Sequence, residues 1–137
     1  MKIRQIHLEE TTSTNTYIKG LALEADEMVV VSTLWQTAGR GQGINRWESE
    51  RGKNLLFSLM ARPSFVAVQQ QFVLSMAGAL AIKGVLDHIT PDICIKWPND
   101  IYWRDRKISG TLIETSLAHG EICRFVYGIG LNVNQVQ

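Results

Sequence analysis

Apolar and polar positions along this chain follow two rhythms, one of period two and one of helical period, and the switches between them mark its elements. Ile3 to Leu8 reads as a first strand. Thr11-Thr12-Ser13-Thr14-Asn15 follows, a run of side chains that favour helix N-caps over helix interiors. Tyr17, Ile18, Leu21 and Ala22 then recur at helical spacing, which predicts a short helix starting near Ser13. Met28-Val29-Val30-Val31 is continuous and apolar, as in a strand buried on both faces. Leu55 to Met60 is another strand, ended by Pro63. The clearest helix is predicted from about Val66 to His88. Its stripe is Phe72, Met76, Leu80 and Lys83, thickened by Val73, Ala77, Ala79, Leu86 and Ile89. Ile93 to Lys96 is a strand and Trp97-Pro98-Asn99-Asp100 a turn. Ile101 to Trp103 and Lys107 to Thr115 pair across the charged turn Arg104-Asp105-Arg106. A turn at Ala118-His119-Gly120 leads to a last strand, Ile122 to Leu131. This order predicts an α+β fold: a mixed, mostly antiparallel sheet with helices packed on one face.

Composition narrows the class without naming a chemistry. The 137 residues are 45% hydrophobic and 20% charged, which is one ordered domain's worth. Lys plus Arg is 14 against 13 for Asp plus Glu, so no polyanion surface and no nucleic-acid partner is predicted. No apolar run reaches the length of a membrane span, and the N-terminus has no apolar signal core. The expectation is a soluble cytoplasmic domain with no membrane partner. Cys94 and Cys123 are expected as two small buried thiols in a reducing compartment, outside any disulfide or metal site. His7, His88 and His119 share no motif, and no Ser–His–Asp or Cys–His arrangement stands out.

Residues 36–54 break both rhythms. Gly39, Gly41, Gly43 and Gly52 punctuate a polar stretch carrying Arg40, Arg46, Arg51 and Lys53, so a long loop is predicted. Such loops inside compact domains are usually functional. Glycines let backbone approach an anion, and Arg40 adds a fixed charge with a fork of donors. The spacing is neither a Walker loop nor a dinucleotide fingerprint. Trp47, near the loop's far end, can cover a planar ligand or pin the loop to the core. Ser13-Thr14-Asn15 can cap a helix or present groups that both donate and accept hydrogen bonds. In Lys96-Trp97-Pro98-Asn99-Asp100, Pro98 holds Trp97 extended, and Asn99 and Asp100 follow from a tight turn. Asp100 has the chemistry to hold Mg²⁺ or a ribose or phosphate network; an Asx turn alone has no use for Lys96 and Trp97. Gly110, just after Lys107, and the pair Gly128 and Gly130 clear side chains from strands. Together these groups suit a ligand with an anionic part and an uncharged polar ring.

The same blocks, in this order, resemble the catalytic domain of the biotin protein ligases. They are Ser13-Thr14-Asn15, Gln36-Thr37-Ala38-Gly39-Arg40-Gly41, Trp47, Gly52-Lys53-Asn54-Leu55, Lys96 to Asp100, Lys107-Ile108-Ser109-Gly110 and Gly128 to Asn134. The resemblance runs from about residue 3 to the chain end. It implies that residues 1–137 form a biotin/lipoate ligase-like catalytic domain shortened at its C-terminal end. It implies a ligase that takes biotin and ATP, with Mg²⁺, to biotinyl-5'-adenylate and pyrophosphate. Biotin then passes to a lysine of the biotin carboxyl carrier domain of a carboxylase. Lys107 and Arg40 would be catalytic, neutralising charge where carboxylate meets triphosphate. Ser13, Thr14, Asn15 and Gln36 would bind biotin, with Arg40, Gly41 and Gln42 closing over it, Lys107 on its carboxylate, and Gly110, Gly128 and Gly130 flooring the pocket. Arg40, Trp47, Asn99, Asp100, Lys107 and Asn132 would face ATP or the adenylate, with Asp100 the candidate Mg²⁺ ligand. Gln42 stands where the family carries the second Arg of Gly-Arg-Gly-Arg, which weakens the expected grip on the adenylate. The resemblance also allows a homodimer through a sheet edge. Two alternatives are a lipoate–protein ligase and a non-catalytic biotin-binding domain.

Overall fold

The computed structural model describes residues 1–41 and 44–134. Its strands are β1 (Lys2–Leu8), β2 (Glu27–Thr33), β3 (Asn54–Ala61), β4 (Ile93–Lys96), β5 (Asp100–Trp103), β6 (Arg106–Ala118) and β7 (Glu121–Asn132). Helix α1 (Thr14–Lys19) lies between β1 and β2, and α2 (Gln71–Leu86), preceded by a 3-10 turn at Val68–Gln70, lies between β3 and β4. The strands form one sheet in the order β1-β2-β3-β7-β6-β5-β4. Only β1 and β2 pair in parallel, because α1 carries the chain back between them; the other neighbours are antiparallel. The mixed, mostly antiparallel sheet of the sequence reading is therefore the observed one.

Side-chain alternation along β7 sorts the molecule into two layers. Phe125, Tyr127 and Ile129 point to one face and pack with Leu74 and Ile82 of α2. Ala79 and Leu86 of α2 continue that layer over Ile93 and Ile101. The long helix thus covers one face. Val126 points the other way, into a core with Ile18, Val29, Val31 and Met60. So α1 lies on the opposite face, where Gly128 and Gly130 make room for Asn15 and Trp47.

Helix α2 departs from expectation in its start and in its orientation. The predicted helix from Val66 begins at Gln71, because Gln70 leaves helical geometry at φ −109°, ψ 13° and no side chain caps the end. The predicted face is buried only in part: Ala79 and Leu86 are buried as expected, but Phe72, Val73, Met76 and Leu80 are exposed, and Ser75 is buried instead. The helix is apolar nearly all round, so periodicity does not choose a face. Small residues choose it by allowing close approach. A Cβ on Gly78 would stand 2.3 Å from Tyr127 Cζ. Cys94, expected buried, is exposed on edge strand β4, and Cys123 is half-buried; both are free thiols. Asp100 opens β5 instead of closing a turn, and β6 runs three residues past Thr115. No helix among the described residues is long and apolar enough to cross a membrane.

Candidate functional site

The open face of β6 and β7 is the floor of the site. Gly110 pairs with Gly130, and Leu112 with Gly128, so three of these four positions carry no side chain. The cleared space is shaped by two groups from elsewhere. Trp47 lies over Gly110 and Gly130: a Cβ on Gly130 would stand 2.4 Å from its Nε1, and one on Gly110 2.9 Å from its Cζ3. Asn15 covers Gly128, whose Cβ would meet Asn15 Oδ1 at 2.2 Å. Above them lies a cleft of about 240 Å³.

The N-terminus of α1 supplies the polar wall. Ser13 caps the helix by accepting from Thr16 N, the structural use foreseen for this run. Thr14 and Asn15 are buried and spend their side chains across the sheet. Gln36 Oε1 accepts from Thr14 N (2.9 Å) and Thr14 Oγ1 (3.1 Å). Thr14 Oγ1 also lies 2.7 Å from Ser58 Oγ, and Ser58 Oγ donates to Asn15 Oδ1 at 2.5 Å. Asn15 Nδ2 donates to Leu112 O (3.1 Å) and Glu114 Oε1 (3.2 Å). Buried polar groups held this way keep fixed directions.

The loop folds back on itself to bring Trp47 to the floor. Thr37 N and Ala38 N donate to Thr11 O and Thr12 O, Gly41 N to Asn45 O, and Trp47 N to Gly39 O. Gly39 is required at this return: a Cβ there would stand 2.1 Å from Trp47 O. Arg40 Nη1 donates to Thr16 Oγ1 at 3.2 Å and pairs with Glu114 Oε1 at 3.1 Å. Lys19 Nζ meets Glu114 Oε2 at 2.5 Å. Burial pushes the Glu114 carboxyl up, but donors from Lys19, Asn15 and Arg40 outweigh it and hold the group below the usual glutamate range.

Lys107 stands at the other end of the floor, its Cε beside Gly110, and pairs with Asp100 at 3.4 Å. The cations Arg40 and Lys107, expected to act together, both line the cleft but pair with different carboxylates, Glu114 and Asp100. Glu114 is four residues beyond Gly110 on β6, about 13 Å along the strand.

The cleft brings together Ser13, Thr14, Asn15 and Gln36 on its wall, and Arg40, Gly41 and Trp47 from the loop. Asp100, Lys107, Gly110, Gly128 and Gly130 complete the predicted set. Asn99 and Asn132 are not among its lining residues. Asn99 is buried against α2, with Nδ2 donating to Ser75 Oγ at 3.2 Å. Asn132 continues β7 opposite Asn54, with Oδ1 buried and unpartnered among the described residues. Gln42 lies outside the described residues. Sequence reasoning missed Ser58, Lys19 and the role of Glu114. Glu114 was detectable, because Gly110, Leu112 and Glu114 share one face at period two; Ser58 was not, because its partners are 43 and 44 positions away.

No group of three or more His, Cys, Asp or Glu able to cage a metal occurs among the described residues. Asp100 at the cleft is a single carboxylate beside Lys107. That donor set suits Mg²⁺ arriving with nucleotide phosphates, which supply most of its ligands, and does not suit a resident ion.

A family model described as the biotin/lipoate A/B protein ligase family matches residues 7–132. The chain belongs to this family. Among the ligases it is similar to is the biotin–[acetyl-CoA-carboxylase] ligase of Mycobacterium tuberculosis, 34% identical over 135 residues, covering 92% of this chain and 48% of that protein. The biotin protein ligase of Leishmania major, solved with biotinyl-5-AMP, superposes at TM-score 0.80 with 27% identity, covering 99% of this chain and 59% of that one. The Aquifex aeolicus ligase, solved with biotin and ATP, superposes at 0.72 with 29% identity, over 98% and 54%. The chain spans about a third to a half of the bacterial curated ligases it matches.

Proposed function

We propose that this chain carries the site for ATP-dependent activation of biotin and for its transfer to a lysine of a carrier domain. One observation carries the reading. A single glycine-floored cleft joins a fixed, uncharged hydrogen-bonding wall at Asn15 to the cation Lys107 at Gly110. A ligand with a neutral polar ring and a carboxylate tail matches that polarity. The ligands in the two solved ligases, biotin with ATP and biotinyl-5-AMP, support it.

In the first step a biotin carboxylate oxygen attacks the α-phosphorus of ATP. A new P–O bond forms, and the bond to the pyrophosphate oxygen breaks. Negative charge crowds where carboxylate and phosphate meet, and Lys107 stabilises it there. Asp100 orients the Lys107 ammonium and offers the carboxylate that would hold Mg²⁺, an ion that neutralises phosphate charge when bound. In the second step the uncharged Nζ of the acceptor lysine attacks the acyl carbon, AMP leaves, and the amide nitrogen loses its proton. Thr14, Asn15 and Gln36 orient the ring and take no part in bond making. No protein nucleophile is needed. The free thiols Cys94 and Cys123 suit the reducing cytoplasm, where we place the chain.

The test is pyrophosphate release with ATP, Mg²⁺ and either biotin or lipoate, followed by mass analysis of a biotin carrier domain. Release with biotin and a modified carrier lysine are expected. Release with lipoate alone would move the chain to the lipoate branch of the family, and biotin binding without release would make it a binding domain.

A further inference from the structure

We propose that Arg40 is a positioning residue, anchored by Glu114 and Thr16, that pins the glycine loop onto the polar wall and does not neutralise phosphate. The inference rests on the biotin-activation reading above. It follows from which atoms the guanidinium meets and where it stands.

Glu114 gathers three donors, two from α1 and one from the loop, on one carboxylate. Its Oε1 accepts from Asn15 Nδ2 of α1 and pairs with Arg40 Nη1 of the loop; its Oε2 takes Lys19 Nζ. An ionised carboxylate only accepts, so all three donors are held at once. Thr16 Oγ1 takes Arg40 Nη1 from the other side. The backbone just before the α1 cap is already tied to the loop through Thr37 N to Thr11 O and Ala38 N to Thr12 O. Arg40 therefore closes a second tie between the same two segments, and the short run Gly39–Gly41 is fixed between them.

Position agrees with contact. Lys107 pairs with Asp100 beside Gly110, whereas Arg40 pairs with Glu114, four residues or about 13 Å beyond Gly110 along β6. Asn15, which shapes the wall over Gly128, shares Oε1 with Arg40. Losing either partner of the anchor should then disturb ring recognition and leave the phosphate chemistry in place. Gln at position 114 keeps one acceptor oxygen but no charge, so it loses the charge-assisted pairing with Arg40 and Lys19.

The experiment is a double-mutant cycle with Arg40→Ala, Glu114→Gln and the pair, read as KM for biotin and kcat at saturating ATP. Each single variant should raise KM about tenfold with kcat within about threefold of wild type, and the double variant should be no worse than either. A fall in kcat of about a hundredfold in Arg40→Ala, with Glu114→Gln unaffected, would overturn the proposal and return Arg40 to the phosphates. A second measurement needs no biotin. Arginine side-chain nitrogen NMR of the ligand-free chain should show hindered guanidinium rotation at Arg40, released in Glu114→Gln. Free rotation in the wild type would also overturn the proposal. A wild type that holds Arg40 rigid yet releases no pyrophosphate with biotin would instead refute the activation reading and leave the anchor standing.

Discussion

Lys107 is the residue on which the chemistry turns. Its neighbours are Gly110 and Asp100, and nothing in that arrangement needs its charge for packing. Lys107→Ala should lower the rate of pyrophosphate release by about a hundredfold or more, with an unchanged unfolding midpoint, since one electrostatic contact at a reacting group is worth about 3 kcal/mol. Single-turnover kinetics beside a urea titration checks both halves. Gln42 makes the opposite kind of prediction. Introducing charge with Gln42→Arg should slow escape of biotinyl-5'-adenylate by about tenfold, because a charge-assisted bond is roughly twice a neutral one; a filter-release assay measures it. At this scale the sequence was most readable where a residue type was odd for its place. Lys107 before Gly110 and the Lys96-to-Asp100 block stood out for that reason. Asn99 misled, because an amide after a Pro reads as a solvent-facing turn group, yet Ser75 receives it inside the protein. Ser58 carries no local signal: a serine in a strand becomes part of the wall only when α1 crosses β3.

Elements were legible in proportion to how one-sided their patterns are. The run Met28 to Val31 lies inside β2, but it is not buried on both faces as its continuous apolar pattern suggests: Val29 and Val31 are fully buried, while Met28 and Val30 are half-buried. Strand β6 was underestimated because its last three residues are exposed and carry no alternation to read. Helix α2 is legible, but only Ala79 and Leu86 of its predicted face are buried, since apolar side chains surround the helix and the deciding residue is the smallest. Gly78 meets the Tyr127 ring, so Gly78→Ala should lower stability by about 1–3 kcal/mol, despite alanine's better helix propensity. Chemical denaturation should show that loss while Lys107-dependent turnover persists, because Tyr127 points away from the cleft. Buried Tyr127 has its phenol pushed up by desolvation, so it stays neutral and keeps packing through ordinary alkaline assay conditions.

Across the whole molecule, one carboxylate ties helix, loop and sheet on the open face, and this gives stability a pH dependence. Glu114 titrates below the usual glutamate range in the folded chain. Its contribution is thus complete above the unfolded value of about 4.3 and is lost as pH falls through the lower folded one. Lys19 of α1 and Arg40 of the loop face it. Urea midpoints of wild type should exceed those of Glu114→Gln at about pH 6, and the gap should close towards about pH 3. The layering itself was half visible in advance. A sheet with a helix on one face follows from element order; that α1 takes the other face, beside the site, depends on the strand register of β7 and is not encoded in any one segment.

Trp47 rests on the glycine pair with its indole Nε1 buried and unpartnered among the described residues. The protein consequently carries its own optical probe. A molecule that settles on the floor must either displace the indole towards water or offer Nε1 an acceptor, and both change the polarity around its excited state. Binding of biotin should therefore shift the intrinsic emission, and Trp47→Phe, which leaves Trp35, Trp97 and Trp103 in place, should abolish that shift. An unchanged spectrum in the wild type at saturating biotin would mean that the ligand seats without touching the indole. The shift would let occupancy be followed in a stopped-flow cell without a label, separating arrival of the ring from the later release of pyrophosphate.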